Sequence, residues 1–383
     1  MQRALDIAIV GYGIAGIAAA IHLRRAGHRI THFERSDPPV TCGAGMVLHP
    51  AAMRQLEMLG VSNAAIECGA PVRRIRAQTM QGRSLFDLYY GDVVEGQCGL
   101  GIQRGTLHRL LSSADTGRNS VHSGHEVVSV EPESGYLTQA GGIRHGPFDL
   151  IAVADGSHSL LRRQVIESGY QDQPANSAAL VGLLDDPQRL SSDRLVQYFD
   201  STRHLSIWPV GCAFIGDQFR CGIAVNVSLT EADTVRDAGR WRTLLTHLCP
   251  SLGELVSDGL GTRNLRIFTY RDVELTRSCV GRVALIGDAA HSMSPQLGTG
   301  AQLAMEDAET LARVVDVHKD VAEALRAFTR IRMPQLRRHH LASRWLTPLF
   351  QADSRAMAFL RDRLFASAMN SSSARQMAHT LFS

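Results

Sequence analysis

Ile7-Ala8-Ile9-Val10-Gly11-Tyr12-Gly13-Ile14-Ala15-Gly16 is the stretch on which the reading of this 383-residue chain turns. Four apolar residues in a row, Ile7 to Val10, suit a short buried strand, and Gly11-x-Gly13-x-x-Gly16 follows without a gap. Ile17 to Ala26 then has the composition of a helix, so the order is strand, tight turn, helix. Gly11 permits the turn, Gly13 lets backbone approach a pyrophosphate, and Gly16 lets the helix lie close on the sheet. The helix N-terminus offers unpaired N–H groups and a positive dipole end, so phosphate needs no side-chain cation. Arg29 to Glu34 reads as the second strand, and Glu34 stands about 20 residues beyond the glycines, where a carboxylate accepts hydrogen bonds from ribose hydroxyls. Glu34 would repel a 2′-phosphate. The pattern predicts a dinucleotide site and does not by itself separate a flavin from a nicotinamide.

Two later stretches repeat the theme of a strand ending in a polar turn. Asp149 to Ala154 is an apolar strand pattern, and Asp155-Gly156-Ser157-His158-Ser159-Leu160-Leu161-Arg162 reads as a turn entering a helix. Taken alone it is a turn and cap. Gly281 to Ile286 is a further buried strand, followed by Gly287-Asp288, and Pro295 to Gly300 forms a loop opening a helix from Ala301 to Val315. A helix start aimed at a ring that gains negative charge on reduction would stabilise that charge, which explains glycines and no acid in the loop. The plainer alternative is a helix cap with a structural aspartate at the strand end.

The three motifs, in this order and spacing, resemble the class A flavoprotein monooxygenases, the group of p-hydroxybenzoate hydroxylase. The resemblance runs from Asp6 to about Arg338. Gly43-Ala44-Gly45-Met46 is similar to the family's segment beside the isoalloxazine, and Gln103-Arg104-Gly105-Thr106-Leu107 to its Arg-x-x-Leu. The resemblance implies FAD as cofactor. It implies that Gly11, Gly13, Ile14, Ala15, Gly16, Glu34 and Arg35 serve its ADP half, with the Val127 backbone beside the adenine. Arg104 would contact the cofactor, Asp288 would hold the ribityl chain, and Asp155 and Gly156 would serve FAD and reduced nicotinamide. Gly45, Met46, Pro295, Gly298, Thr299, Gly300, Ala301 and Gln302 would surround the ring. Gln302 departs from the family's Asn, and His49-Pro50-Ala51 stands where Pro-Asn is common. Some related hydroxylases carry a His base at the place of Val47; His49, two residues on and read here as lying on the same strand face, is a substitute base or else a hydrogen-bonded structural histidine.

The resemblance implies an α/β fold: a Rossmann-like FAD-binding domain of the GR2 type, an interleaved smaller α+β substrate domain and a helical C-terminal tail. The expected boundaries are 1–69, 97–170 and 265–338 for the FAD-binding domain, 70–96 and 171–264 for the substrate domain, and 339–383 for the tail. Within the second insert, Leu195 to Phe199, Leu205 to Val210 and Arg220 to Asn226 read as antiparallel strands whose faces would roof the flavin. Thr230 to Cys249 reads as a helix, and the chain from Ala322 onward as helical with breaks near Pro334 and Pro348.

Composition agrees. A hydrophobic content of 44% supports a large core, and a formal charge of +3 gives no case for nucleic acid or a membrane surface as partner. No apolar run approaches the roughly 20 residues that span a bilayer, and the N-terminus enters a strand at once, which predicts a cytoplasmic protein. The seven cysteines lack metal-ligand spacing and read as reduced thiols, with no metal expected. A monomer or homodimer is expected.

The function implied is a single-component monooxygenase that takes electrons from NADH or NADPH, activates dioxygen as a flavin C4a-hydroperoxide, and hydroxylates a phenol- or hydroxypyridine-like aromatic small molecule. Such a site must exclude water and hold the ring close. Pro295 would place its carbonyl near the reacting flavin edge. Trp208 would stack on a planar substrate, with Tyr198 and Gln296 as further pocket candidates and Arg220 for a substrate carboxylate. Rivals are a halogenase or reductase on the same fold, or a flavin-binding regulatory protein without turnover. The Trp-x-Trp-x-Ile-Pro pattern of flavin halogenases is absent around Trp208-Pro209.

Overall fold

Asp6–Val10 lies inside a six-stranded sheet, hydrogen-bonded in parallel to Arg29–Glu34 on one side and to Leu150–Val153 on the other. The computed structural model describes residues 3–38, 45–93, 95–185, 191–200, 203–211, 220–232, 238–249, 266–350, 359 and 361–363. The sheet order is Cys279–Val280, Val283–Leu285, Leu150–Val153, Asp6–Val10, Arg29–Glu34, Val121–Ser123, parallel throughout except for the edge strand Cys279–Val280. Both faces are covered. Ile7 and Ile9 pack toward the helices Ile14–Arg25 and Gly300–Val317, while Ala8 and Val10 join Phe33, Val127 and Phe148 on the other face, under a small antiparallel sheet of Val127–Glu131, Tyr136–Gln139 and Arg144–His145. Burial on both sides is why this strand has no polar alternation.

The topology has one consequence for function. Val10, Val153 and Leu285 end three adjacent parallel strands, so the turns that begin at Gly11, Ala154 and Ile286 emerge side by side at one sheet edge. Ligands of open α/β sheets bind at the carboxyl ends of strands.

A second, seven-stranded sheet runs Arg266–Leu275, Tyr170–Asp185, Arg220–Ser228, His204–Pro209, Arg194–Phe199, Arg74–Thr79, Ser84–Tyr89. It is antiparallel except where Arg194–Phe199 lies parallel to Arg74–Thr79. Leu205, Ile207, Cys221, Ile223 and Val225 point to an outer core closed by Trp241 of the helix Ala238–Leu248. Ser206, Trp208 and Gly222 take the opposite face. That inner face meets a three-stranded sheet of Gly45–Leu48, Gly99–Gln103 and Ala70–Val72. A Cβ at Gly101 would collide with the Pro209 carbonyl, and one at Gly45 would lie 2.6 Å from Val210 Cγ1, so these glycines set how closely the two sheets approach.

Two expectations are corrected. The strand Arg266–Leu275 was assigned with the dinucleotide part, yet it pairs with Tyr170–Asp185 and belongs to the seven-stranded sheet. The final helix, Val321–Phe350, continues through Pro334 and Pro348 instead of breaking. Proline costs a helix interior about 3 kcal/mol, and beside Pro334 burial of Arg332, Met333 and Leu336 opposes that cost. The segment read as one helix from Thr230 to Cys249 holds Leu229–Ala232 and Ala238–Leu248, with 233–237 outside the described residues. Gly43, Ala44 and most of the tail beyond 350 also lie outside them. Among the described residues no helix is long and apolar enough to cross a membrane.

Candidate functional site

The Gly-rich turn is shaped by the backbone around it. Gly11 has φ 103°, its N–H donates to the Phe33 carbonyl at 2.8 Å, and a Cβ there would collide with the Ala154 carbonyl. A Cβ at Gly16 would collide with the Gly11 carbonyl, so the helix packs as closely as the motif requires. Gly13, the N-cap of Ile14–Arg25, is exposed, and a Cβ there would meet nothing within 4 Å. Ile14 and Ala15 are buried beneath it.

Glu34 sits at the end of the second strand. Its carboxylate accepts the Tyr12 N–H at 2.8 Å and the Ser36 N–H at 2.9 Å, which fixes both oxygens beside the glycine turn and leaves each a further lone pair. Arg35 next to it is exposed. The His125 N–H donates to the Glu34 carbonyl at 2.9 Å, bringing the start of Val127–Glu131 to the same edge. Helix Arg104–Ala114 is tied there as well, through His108 Nε2 to the Tyr12 carbonyl at 2.8 Å and Ser112 Oγ to the Tyr12 hydroxyl at 2.9 Å. Arg104 is the exposed first residue of that helix. Gln103, its N-cap, lies opposite Gly45 across the strand pair, with Met46 following.

Arg162 joins the middle and late motifs. It is fully buried, and its guanidinium donates to the Ala289 and Ser157 carbonyls at 3.0 Å each and to Asp172 Oδ2 at 2.9 Å. Burial pushes the Asp155 carboxyl up from the ordinary carboxylate range, although a hydrogen bond from Ser159 opposes this. Gly156 has φ 91° with open space where a Cβ would be.

The late motif hangs on Asp307. Its Oδ2 accepts the Gly287 N–H at 2.8 Å and pairs with His291 Nε2 at 2.6 Å, while Oδ1 accepts Arg332 Nε at 2.7 Å. Burial raises the Asp307 carboxyl, but the His291 and Arg332 charges outweigh it and hold it low. Gly287 has φ 60°, and a Cβ there would lie 2.7 Å from Ala15 Cβ, so first and last motifs touch. Asp288 is exposed at the strand end. Beyond it Pro295–Leu297 forms a 3-10 turn closed by the Gly298 N–H on the Pro295 carbonyl at 2.9 Å, with Gly298 at φ 66°. Thr299 turns its hydroxyl to His339 Nδ1 at 3.3 Å, and a Cβ at Gly300 would meet nothing within 4 Å. Ala301 packs on the main core, and Gln302 donates to Glu306 Oε1 at 2.9 Å.

The substrate candidates separate. Trp208 is buried on the inner face with its ring against Gly222, where a Cβ would lie 2.5 Å from Cε2; its Nε1 faces Gly45. Arg220 precedes Gly222 by two residues and shares that face by strand alternation. Tyr198 does not join them: it registers with Leu205 and packs on the outer core. A one-residue parity decides this, because successive side chains of a strand point to opposite faces.

His49 is corrected too. It is not on the strand, which ends at Leu48, but is the buried N-cap of Pro50–Leu59. Nδ1 lies 2.5 Å from the Tyr90 hydroxyl and Nε2 2.8 Å from the Leu297 carbonyl, so both ring nitrogens are engaged within the protein. Burial lowers its pKa to about 4.

These residues fit FAD. Asp155 Oδ1, Gln103 Nε2, Ser294 Oγ, both Gln296 amide atoms and Gln302 Oε1, all within or beside the motifs, are buried without a hydrogen-bond partner among the described residues, as is Trp208 Nε1 on the second sheet, and Gly13, Gly156 and Gly300 leave open space where a Cβ would be. Buried polar atoms are mostly satisfied in folded proteins, so those of the motif residues are donors and acceptors that a polar ligand could meet. Gln103 and Arg162 stand within motifs quoted from sequence but with no site role assigned to them, and Asp307 stands in none. Gln103 has a sequence signal only in preceding Arg104 and Arg162 only in closing the Asp155–Arg162 motif; the partners of Arg162 and Asp307 come from tertiary packing.

Comparison with known proteins agrees with this geometry. Residues 4–325 match the family model described as FAD binding domain. The chain is 30% identical to the 3-amino-4-hydroxybenzoate 2-monooxygenase of Streptomyces cremeus, covering 91% of this chain and 89% of that protein. It is 27% identical to the FAD-dependent urate hydroxylase of Klebsiella pneumoniae subsp. pneumoniae, with 86% of each covered. The crystal structure of Klebsiella pneumoniae HpxO complexed with FAD and uric acid superposes with a TM-score of 0.84 at 24% identity, covering 100% of this chain and 97% of that one. The chain therefore belongs to the FAD binding domain family and, within it, to the FAD-dependent aromatic hydroxylases and monooxygenases.

Proposed function

We propose that this protein is a single-component FAD monooxygenase that draws electrons from NADH or NADPH and hydroxylates a planar aromatic or heteroaromatic small molecule. One observation carries the substrate class: Trp208, wedged flat on Gly222 under the seven-stranded sheet, faces the Gly45–Leu48 strand with its indole N–H unpartnered. A rigid indole there suits a flat ring that also bears a hydrogen-bond acceptor. Arg220 on the same face would serve a substrate carboxylate or phenolate.

When bound, FAD supplies hydride acceptance and the activation of dioxygen. The chain's own part is binding, orientation and water exclusion. Gly13 and the helix start behind it would cradle the pyrophosphate, and Glu34 the adenosine ribose. Val127 backbone would flank the adenine, with Arg104, Gln103, Asp155 and Asp288 on the connecting chain. The N-terminus of Gly300–Val317 would favour negative charge on the reduced ring. Pro295, whose carbonyl closes the turn on the Gly298 N–H, would border the substrate side, and Gln296 would close the pocket. Close packing of the seven-stranded sheet's inner face, where Trp208 is buried, would keep bulk water from the reacting atoms. The five cysteines among the described residues stand outside disulfides, which supports a reducing, cytoplasmic setting.

The test is oxidation of reduced nicotinamide by FAD-loaded protein, with oxygen uptake, across a panel of phenols, aminohydroxybenzoates and hydroxypyridines. At least one member is expected to accelerate oxidation tenfold or more and to leave as an oxygenated product. Absence of any ligand-stimulated turnover would reject the enzyme reading and favour a flavin-binding regulator.

A further inference from the structure

We propose that His49 is a positioning residue: it donates its Nε2 proton to the Leu297 carbonyl, accepts the Tyr90 hydroxyl proton on Nδ1, and thereby pins the Pro295–Leu297 turn that presents the start of helix Gly300–Val317 to the flavin. The proposal rests on the reading that this turn serves the flavin, and it assigns His49 to a different task from proton abstraction.

The tautomer follows from the partners. A carbonyl only accepts, so the ring nitrogen 2.8 Å from the Leu297 oxygen must carry hydrogen. The ring is buried, and burial favours the neutral form, which leaves Nδ1 bare to accept from Tyr90 at 2.5 Å. Tyr90 is itself fully buried at the end of the edge strand Ser84–Tyr89, packed with Val72 and Ile75, and a Cβ at Gly99 would lie 3.1 Å from its ring. The hydroxyl is therefore a fixed donor. One chain of hydrogen bonds runs from the margin of the seven-stranded sheet through the imidazole to the turn.

The turn needs such a pin. Its own closure is the single Pro295 carbonyl to Gly298 N–H bond, and Gly298 is left-handed. On the far side Thr299 reaches His339, which fixes the residue after the glycine but leaves Leu297 free to rotate its carbonyl. A Cβ at Gly298 would lie 3.0 Å from His49 Nε2, so the imidazole also fills the space against which the left-handed residue rests. With the ring gone, the buried Leu297 carbonyl loses this partner and the peptide can flip, turning the N–H groups ahead of Gly300 out of line.

Wild type, His49→Ala, His49→Gln and Tyr90→Phe are compared. Gln keeps a donor for the Leu297 carbonyl; Ala does not. In the FAD-free proteins, hydrogen exchange at the Gly298 amide is expected to accelerate at least tenfold in H49A and to stay within threefold of wild type in H49Q. In the holoproteins, H49A is expected to weaken FAD about tenfold and to shift the visible band and midpoint potential of bound flavin. H49Q restores both, and Y90F gives a smaller change in the same direction. The pH profile of kcat/KM is expected to keep the same apparent pKa values in wild type and H49Q. Unchanged exchange, spectrum and potential in H49A would overturn the pin. So would an H49Q protein with wild-type spectrum and affinity that has lost turnover together with a limb of the pH profile, which is the signature of a base. Should H49A fail to fold, H49Q and Y90F carry the same decision. Faster exchange with no flavin effect would keep the pin and sink the assignment of this turn to the flavin.

Discussion

At the scale of single residues, the glycines of the first motif divide into those the fold needs and those the ligand needs. A Cβ at Gly16 strikes the Gly11 carbonyl, whereas a Cβ at Gly13 meets no protein atom and the backbone there, at φ −88°, suits any residue. Gly13→Ala is therefore expected to leave the melting temperature of FAD-free protein within about 1 °C of wild type, a shift of about 1 kcal/mol or less, while weakening FAD at least tenfold, about 1.4 kcal/mol. Gly16→Ala is expected to lower stability by about 1–3 kcal/mol before any ligand is added. Thermal melts and FAD titration of both variants check this, and equal effects of the two on the ligand-free protein would refute it. The contrast shows why these residues were legible. A turn that must approach a phosphate is a local backbone demand, written in ten consecutive residues. His49 was not legible in the same way, because its partners Tyr90 and Leu297 are 41 and 248 residues away and only the fold brings them to the ring.

Among elements, the same distinction holds between what a segment is and what it pairs with. Apolar runs at 7–10, 150–153 and 283–285 announced buried parallel strands, and all three stand adjacent in one sheet. The periodicity of Arg266–Leu275 announced no sheet membership, and Tyr198 fell on the outer face because strand register, not composition, sets parity. Helix Val321–Phe350 passes through Pro334 with its contacts to Gly300–Val317 beside that residue, Arg332 above all. Arg332 also donates to Glu306 at 2.9 Å and to the Leu303 carbonyl at 3.0 Å, while its partner Asp307 holds the Gly287 N–H. This pair thus ties two helices to the strand end that carries Asp288. Asp307→Asn is expected to cost about 3 kcal/mol, since it removes one of the two carboxylates that hold the buried Arg332 guanidinium, and Arg332→Met a similar amount. The double variant is expected to cost less than the sum by at least 1 kcal/mol. Urea unfolding of the four proteins measures the cycle; additive losses would mean that the two groups act independently.

For the whole molecule, buried histidines set the response to acid. His22, His32, His49 and His339 each have a pKa lowered to about 4, in every case chiefly by burial. In the unfolded chain they titrate near 6.5. Between these values the unfolded state binds protons that the native state refuses, so stability must rise with pH across that interval. It is complete above about pH 6.5 and is lost progressively as the pH falls toward 4. Up to four protons are involved, which corresponds to roughly 3–5 kcal/mol between pH 6 and pH 5. Asp172, Glu231, Asp272 and Asp307 are shifted the other way relative to charge: their carboxyls are held low, so their contribution is intact above about pH 4.5 and is lost only as the pH falls further. The histidine loss therefore comes first. Urea midpoints of FAD-free protein at pH 7.5, 6.5, 5.5 and 4.5 are expected to fall slightly over the first step and steeply over the next two, and His32→Asn or His339→Asn is expected to reduce the slope by about one proton. Stability that stays level down to pH 5 would show that these imidazoles remain protonatable in the native state and that the core around them admits water.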